Sequence, residues 1–98
     1  MKITWTREAQ EQYGKILEYI DLHWSIKEIE SFIFKTESVL LAIQNNPYLY
    51  VKSTKQKNIC KALITKHNSL FYLVNLKEKE IILLSFWDNR QDPEKRPY

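Results

Sequence analysis

Glycine is almost missing from this chain of 98 residues, which has one, Gly14. A glycine-rich phosphate loop, a dinucleotide-binding turn and a strained nucleophile elbow each need several, because only glycine lets a backbone turn so sharply or approach a phosphate so closely. Those enzyme classes are unsupported. One cysteine, Cys60, cannot form an internal disulfide. With only His23 and His67 beside it, no ligand set stands at zinc-like spacing, so no metal and no cofactor is called for. Cys60 reads as a small core residue and His23 as a capping or surface residue. No apolar run approaches the roughly 20 residues that span a bilayer, and the opening MKITWTREAQ has no apolar signal core. A cytoplasmic protein without membrane contact is expected.

Acidic residues are absent from one third of the chain. Residues 47–76 hold five lysines and no Asp or Glu, whereas residues 1–46 hold five basic and seven acidic side chains and residues 77–98 hold five of each. The net charge of +3 therefore hides a basic block. Such a block is either a solvated face or a surface that meets an anion, for example a nucleic-acid backbone or an acidic partner.

What is present is enough for one domain over residues 1–98: 44% of the side chains are hydrophobic and 13% aromatic, and a chain of this size buries about two-thirds of its unfolded surface. Met1 to Trp5 reads as a short edge strand. Thr6 is placed to cap a helix, with Glu8 in its first turn. Ala9, Tyr13, Ile16, Leu17, Ile20 and Trp24 recur at three- and four-residue spacings, which predicts one buried stripe. Gly14 falls mid-helix, and close packing against another element is the expected reason for it. Ser25-Ile-Lys-Glu28 is a capping-box pattern that starts a second helix. Its stripe of Ile29, Phe32, Ile33, Leu40 and Ile43, widened by Val39 and Leu41, ends at Asn45-Asn46-Pro47.

Pro47 to Asn58 has no period and reads as a loop. Ile59 to Lys66 reads as a strand that turns Cys60, Ala62 and Ile64 towards the helices. His67-Asn68-Ser69 reads as a turn, Leu70 to Leu76 as a strand, Lys77 to Glu80 as a turn and Ile81 to Trp87 as a last, interior strand. The expected fold is α+β in the order β-α-α-β-β-β, a helical hairpin packed on one face of a mainly antiparallel four-stranded sheet. The helices can cover only one face, yet the last two strands are apolar on both, so a tail, a loop or a partner chain must cover the other.

The candidate site residues are cations at or near the sheet: Lys52, Lys55 and Lys57 in the loop, Lys61 on a strand, Lys66 beside His67 in a turn, and Arg90 at the mouth of the last strand next to Trp87, with Tyr98 at the end of the tail. Cations around a phosphodiester stabilise charge that develops in the transition state, while Tyr or His can transfer protons. The composition permits a nuclease without demanding one.

Ile3-Thr-Trp-Thr6, the two-helix block ending in Asn46-Pro47, the run K-A-L-I-T-K-H-N-S-L-F-Y from Lys61 to Tyr72 and F-W-D-N-R-Q-D-P from Phe86 to Pro93 resemble the RelE/ParE superfamily of type II toxin–antitoxin systems. The resemblance spans nearly the whole chain. It implies a small bacterial toxin that inhibits growth or stabilises a plasmid, held inactive by a cognate antitoxin that would cover the second sheet face, as a hetero-oligomer with it or a homodimer. RelE-like members are ribosome-dependent mRNA endonucleases; ParE-like members poison DNA gyrase and are not enzymes. The R-Q-D-P turn looks more like the ParE side, and Lys61 or Cys60 stands where many members carry an arginine, so a gyrase poison is the first expectation. The alternatives are a ribosome-dependent nuclease using Arg90, Lys61 and Tyr98, and a degenerate module that only pairs with a small protein. Lys52, Lys55, Lys57, Lys66, His67 and Trp87 are the implied contacts with target or antitoxin.

Overall fold

The computed structural model describes residues 1–53 and 55–98; Thr54, within the expected loop, lies outside the described residues. Its elements are β1 (Lys2–Trp5), α1 (Arg7–His23), α2 (Ile26–Asn45), β2 (Val51–Lys52), β3 (Ile59–Leu63), β4 (Asn68–Asn75), β5 (Glu80–Asp88) and a 3-10 turn at Pro93–Lys95. The five strands form one sheet in the order β1-β5-β4-β3-β2. β1 lies parallel to β5 and every other pairing is antiparallel. The fold is the expected α+β arrangement with one strand more. The addition is β2, two residues of the stretch read as a loop, paired through Val51 with Lys61 and Lys52 with Cys60; so short a strand has no period of its own and is held by β3.

Both helix starts follow from local chemistry. Thr6 accepts a hydrogen bond from the Ala9 amide at 3.1 Å and donates to the Leu83 carbonyl at 2.7 Å, so the cap also ties α1 to β5. At α2 the Glu28 carboxylate accepts from the Ser25 amide at 3.1 Å and from the Ser25 hydroxyl, which holds the Glu28 carboxyl below its ordinary range.

The core lies between the hairpin and the inner sheet face. Phe32, Val39 and Ile43 of α2 meet Cys60, Ala62, Leu70, Tyr72, Ile81, Leu83 and Phe86, with Ala9, Tyr13 and Trp5 closing one end. Cys60, Ala62 and Ile64 face the helices as expected, and burial pushes the Cys60 thiol up. Two expected core positions are instead exposed: Trp24, beyond the last turn of α1, and Leu41, on the outer side of α2. Gly14 also differs from expectation, since a Cβ built there meets nothing within 4 Å.

The β4–β5 ladder slips once. Phe71 pairs with Ser85 but Tyr72 pairs with Leu83, leaving Leu84 without an opposite residue. This bulge puts both Leu83 and Phe86 in the core and sends Ser85 and Trp87 to the outer face. Beyond the end of β1, the Phe86 amide donates to the Gln12 side chain of α1 at 2.7 Å, which replaces the missing ladder partner. The bulge therefore sets which of the last aromatic residues reach each side of the sheet.

Candidate functional site

On the outer face the strand register lines up two rows. Val51 of β2 pairs with Lys61 of β3, Lys61 with Phe71 of β4 and Phe71 with Ser85 of β5; next to them Leu63 pairs with Ser69 and Ser69 with Trp87. Directly paired side chains on one face have Cβ atoms about 5 Å apart, so Lys61 stands beside Phe71.

The chain's own end covers the Phe71 part of this face, while Val51 and Leu63 stay exposed. After the Pro93–Lys95 turn the tail crosses to β2: the Ser53 hydroxyl donates to the main-chain oxygen of Tyr98 at 2.5 Å and the Lys55 ammonium to the Arg96 carbonyl at 2.8 Å. The Tyr98 ring packs on Phe71 with centroids 5.6 Å apart. An antitoxin is thus not needed to cover Phe71, because an intramolecular strap does so.

Between strap and sheet lies a cavity of about 340 Å³. Lys61, Ser69 and Phe71 line its sheet side and Arg96 and Tyr98 its strap side, and no Asp or Glu is among the described residues that line it. The Arg96 Nε is buried and has no hydrogen-bond partner among the described residues. An orphaned buried donor of this kind costs about 1–3 kcal/mol. Cationic groups and a phenol around a cavity without acidic side chains suit an anionic ligand such as a phosphate.

The expected residues divide sharply. Lys61 and Tyr98 come together here. Lys52 borders the cavity, but it shares the side of its partner Cys60 and its ammonium sits over the Tyr48 ring, 5.1 Å from the centroid. Lys55 reaches the strap from outside it. Lys57, Lys66 and His67 are exposed in the loops flanking β3. Trp87 is half-buried on the outer face beside Ser69.

Arg90 does not join the cavity. It is tied back to Asp88 by two side-chain hydrogen bonds of 3.0 and 2.8 Å and one from its amide at 2.8 Å, and the guanidinium holds the Asp88 carboxyl below its ordinary range. The residue that sequence reasoning passed over is Arg96. Its signal was its place two residues before Tyr98 in Lys95-Arg-Pro-Tyr98, where whatever anchors the tyrosine also carries the arginine to the site.

Among the described residues no three His, Cys, Asp or Glu side chains gather as a metal-ligand set, and no helix is long and apolar enough to cross a membrane. A second hollow of about 320 Å³, bordered by Tyr48, Asn58, Asn75 and Lys77, lies beside the far end of β4 and holds no comparable charge.

No protein-family model and no curated protein matches the sequence. Solved structures match along nearly the whole chain. The chromosomal ParDE toxin–antitoxin system from P. aeruginosa aligns with a TM-score of 0.72 at 15% identity, covering 90% of this chain and 95% of that one. The isolated RelE toxin of E. coli aligns with a TM-score of 0.66 at 12% identity, covering 95% and 88%. The YoeB–YefM complex from S. aureus aligns with a TM-score of 0.60 at 20% identity, covering 89% and 94%. The chain therefore has the fold of the RelE, ParE and YoeB toxins, as the sequence resemblance implies.

Proposed function

We propose that this protein is the toxin of a type II toxin–antitoxin pair and that it acts on RNA, cleaving a phosphodiester held in the cavity under the C-terminal strap. The observation that carries the reading is the joint placement of Lys61, Arg96 and Tyr98 around a space with no Asp or Glu among the described lining residues. The similar structures include RelE and YoeB toxins and complexes with antitoxins, which supports a small protein partner that silences the toxin.

The chemistry follows from the groups present. A ribose 2′-hydroxyl attacks the adjacent phosphorus and gives up its proton to a solvent water, the 2′-O–P bond forms, and the P–O5′ bond breaks to leave a 2′,3′-cyclic phosphate and a 5′-hydroxyl that takes up a proton. Lys61 and Arg96 stabilise the charge that develops on the phosphoryl oxygens. The Tyr98 phenol is placed to donate to the leaving O5′. Arg90, expected from the sequence to share this work, stands outside the cavity and keeps Asp88 as its partner.

Induced expression without an antitoxin tests the reading. Growth arrest with cleavage of translated mRNA, abolished by Lys61→Ala, supports it. Arrest with double-strand DNA breaks and intact mRNA assigns the protein to the gyrase poisons instead. Normal growth with soluble folded protein leaves only the pairing module.

A further inference from the structure

Two large apolar side chains stand in water at the edge of the cavity. On the outer sheet face Ile59 and Phe71 are buried, whereas Leu63 is 55% exposed and Val51 75%. Both exposed residues border the cavity together with Lys61. The register sets Lys61 between them. Val51 is its cross-strand partner, with Cβ atoms about 5 Å apart, and Leu63 follows two residues later on the same face of β3, about 7 Å along the strand. No acidic side chain interrupts the patch: residues 47–76 hold no Asp or Glu, and the acids of the tail, Asp92 and Glu94, are not among the residues that line the cavity.

An ammonium between two apolar surfaces matches the parts of one nucleotide, a phosphate for the cation and the flat face of a base for its neighbours. With the phosphate held by Lys61, Arg96 and Tyr98, a base tethered to it through one sugar falls on the bare residues beside Lys61, because Ile59 and Phe71 are already covered. We propose that Val51 and Leu63 form a platform for the unpaired base of a nucleotide that adjoins the bound phosphate. This rests on the RNA reading and adds to it the residues that hold the base. Contact with the face of a base, rather than its edge, reads no sequence, since every base has such a face.

The test uses the whole protein and two fluorescent strands of 2′-O-methyl RNA, which lack the attacking hydroxyl, one with all its bases and one abasic throughout with the same number of phosphates. Binding is read by anisotropy at low and high salt. The base-bearing strand should bind about tenfold more tightly than the abasic one. The double change V51S and L63S should close most of that gap and leave both the abasic strand's affinity and the salt dependence unchanged, because the platform carries no charge. Lys61→Ala should weaken both strands alike and flatten the salt dependence. L63W, which offers a larger stacking surface, should tighten the base-bearing strand about threefold and leave the abasic one alone, a gain that a misfolded protein cannot produce. Equal affinity of the wild type for the two strands overturns the proposal while the RNA reading stands. A gap that survives V51S with L63S overturns it too, and assigns the pair to a protein partner. Failure of both strands to bind removes the RNA reading and the platform together.

Discussion

The Tyr98 ring lies over Phe71 at 5.6 Å between centroids, and Phe71, an outer-face residue of β4, is only 1% exposed. One side chain thus serves both stability and the proposed chemistry, and two substitutions separate them. Tyr98→Phe keeps the ring and removes the phenol: the melting temperature should stay within a degree or so, since surface changes that leave packing intact are usually worth less than about 0.5 kcal/mol, while RNA cleavage falls about a hundredfold. Tyr98→Ala also uncovers Phe71. Losing the aromatic pair and its burial costs about 1–2 kcal/mol, which lowers the melting temperature by roughly 5–10 °C in a domain this small. Equal activity of wild type and Tyr98→Phe would remove the phenol from the mechanism.

Lys61 faces the cavity from a strand whose opposite side chains, Cys60 and Ala62, are in the core. Lys61→Ala should therefore lower cleavage by about 10²–10³-fold, the usual loss when one positioned donor to the transition state is removed. Lys61→Arg, which keeps the charge, should restore part of it. Thermal unfolding and single-turnover cleavage measured side by side check both statements, and a loss of activity matched by a loss of folding would defeat the catalytic reading.

Arg90 leads to the opposite expectation. Its guanidinium is held by Asp88 at the end of β5, outside the cavity. Arg90→Ala should leave cleavage within about twofold and change stability little, as for other exposed pairs. The pH dependence has a definite sign. The folded-state Asp88 pKa lies below its unfolded value of about 3.9, so the pair's contribution is complete above that value and is lost as pH falls through the folded pKa. Wild type and Arg90→Ala should therefore differ in stability above about pH 5 and converge in stronger acid. An NMR titration of Asp88 in both proteins reads the shift directly.

How much of this was legible before folding depends on how local each cause is. Thr6, Ser25 and Glu28 mark helix starts through contacts at most three residues away, so the helix limits could be read. The division of Cys60, Ala62 and Ile64 to one face follows from the strand period alone. β2 could not be read, because two residues become a strand only when β3 offers them a ladder. The bulge at Leu84 was hidden for the same reason: Ile81 to Trp87 looks apolar on both faces, and only the pairing shows where the faces exchange. The strap is held by Ser53, Lys55 and Phe71, residues more than twenty positions away, and this is why Arg90 was named and Arg96 was not.

Tyr72 predicts behaviour in alkali. It is fully buried, donates to the Pro47 carbonyl at 2.7 Å, and its phenol is pushed well above the ordinary tyrosine range, first by burial and then by the neighbouring Cys60. Because the folded pKa lies above the unfolded value of about 10, its contribution is intact below that pH and declines as pH rises past it, where only the unfolded chain releases the proton. Absorbance at alkaline pH should show this one of the six tyrosines ionising only when the protein unfolds. Tyr72→Phe orphans the Pro47 carbonyl and should cost about 1–3 kcal/mol near neutrality, and the gap to wild type should narrow above about pH 10. A constant gap across that range would contradict the assignment.

Gly14 offers a prediction of gain. It lies within α1, where glycine is worse than alanine by about 1 kcal/mol because the unfolded chain has more freedom to lose. Had the residue been there for close packing, a methyl group would collide with its neighbour. A Cβ built at this position meets nothing within 4 Å, so Gly14→Ala restricts the unfolded chain without straining the folded one. It should raise stability by about 0.4–1 kcal/mol and the melting temperature by roughly 2–6 °C, with cleavage unchanged because α1 lies across the sheet from the cavity. Denaturant unfolding checks the sign. A rise in the midpoint with an unchanged slope confirms that packing is undisturbed, whereas a fall would mean that another surface approaches α1 at this point.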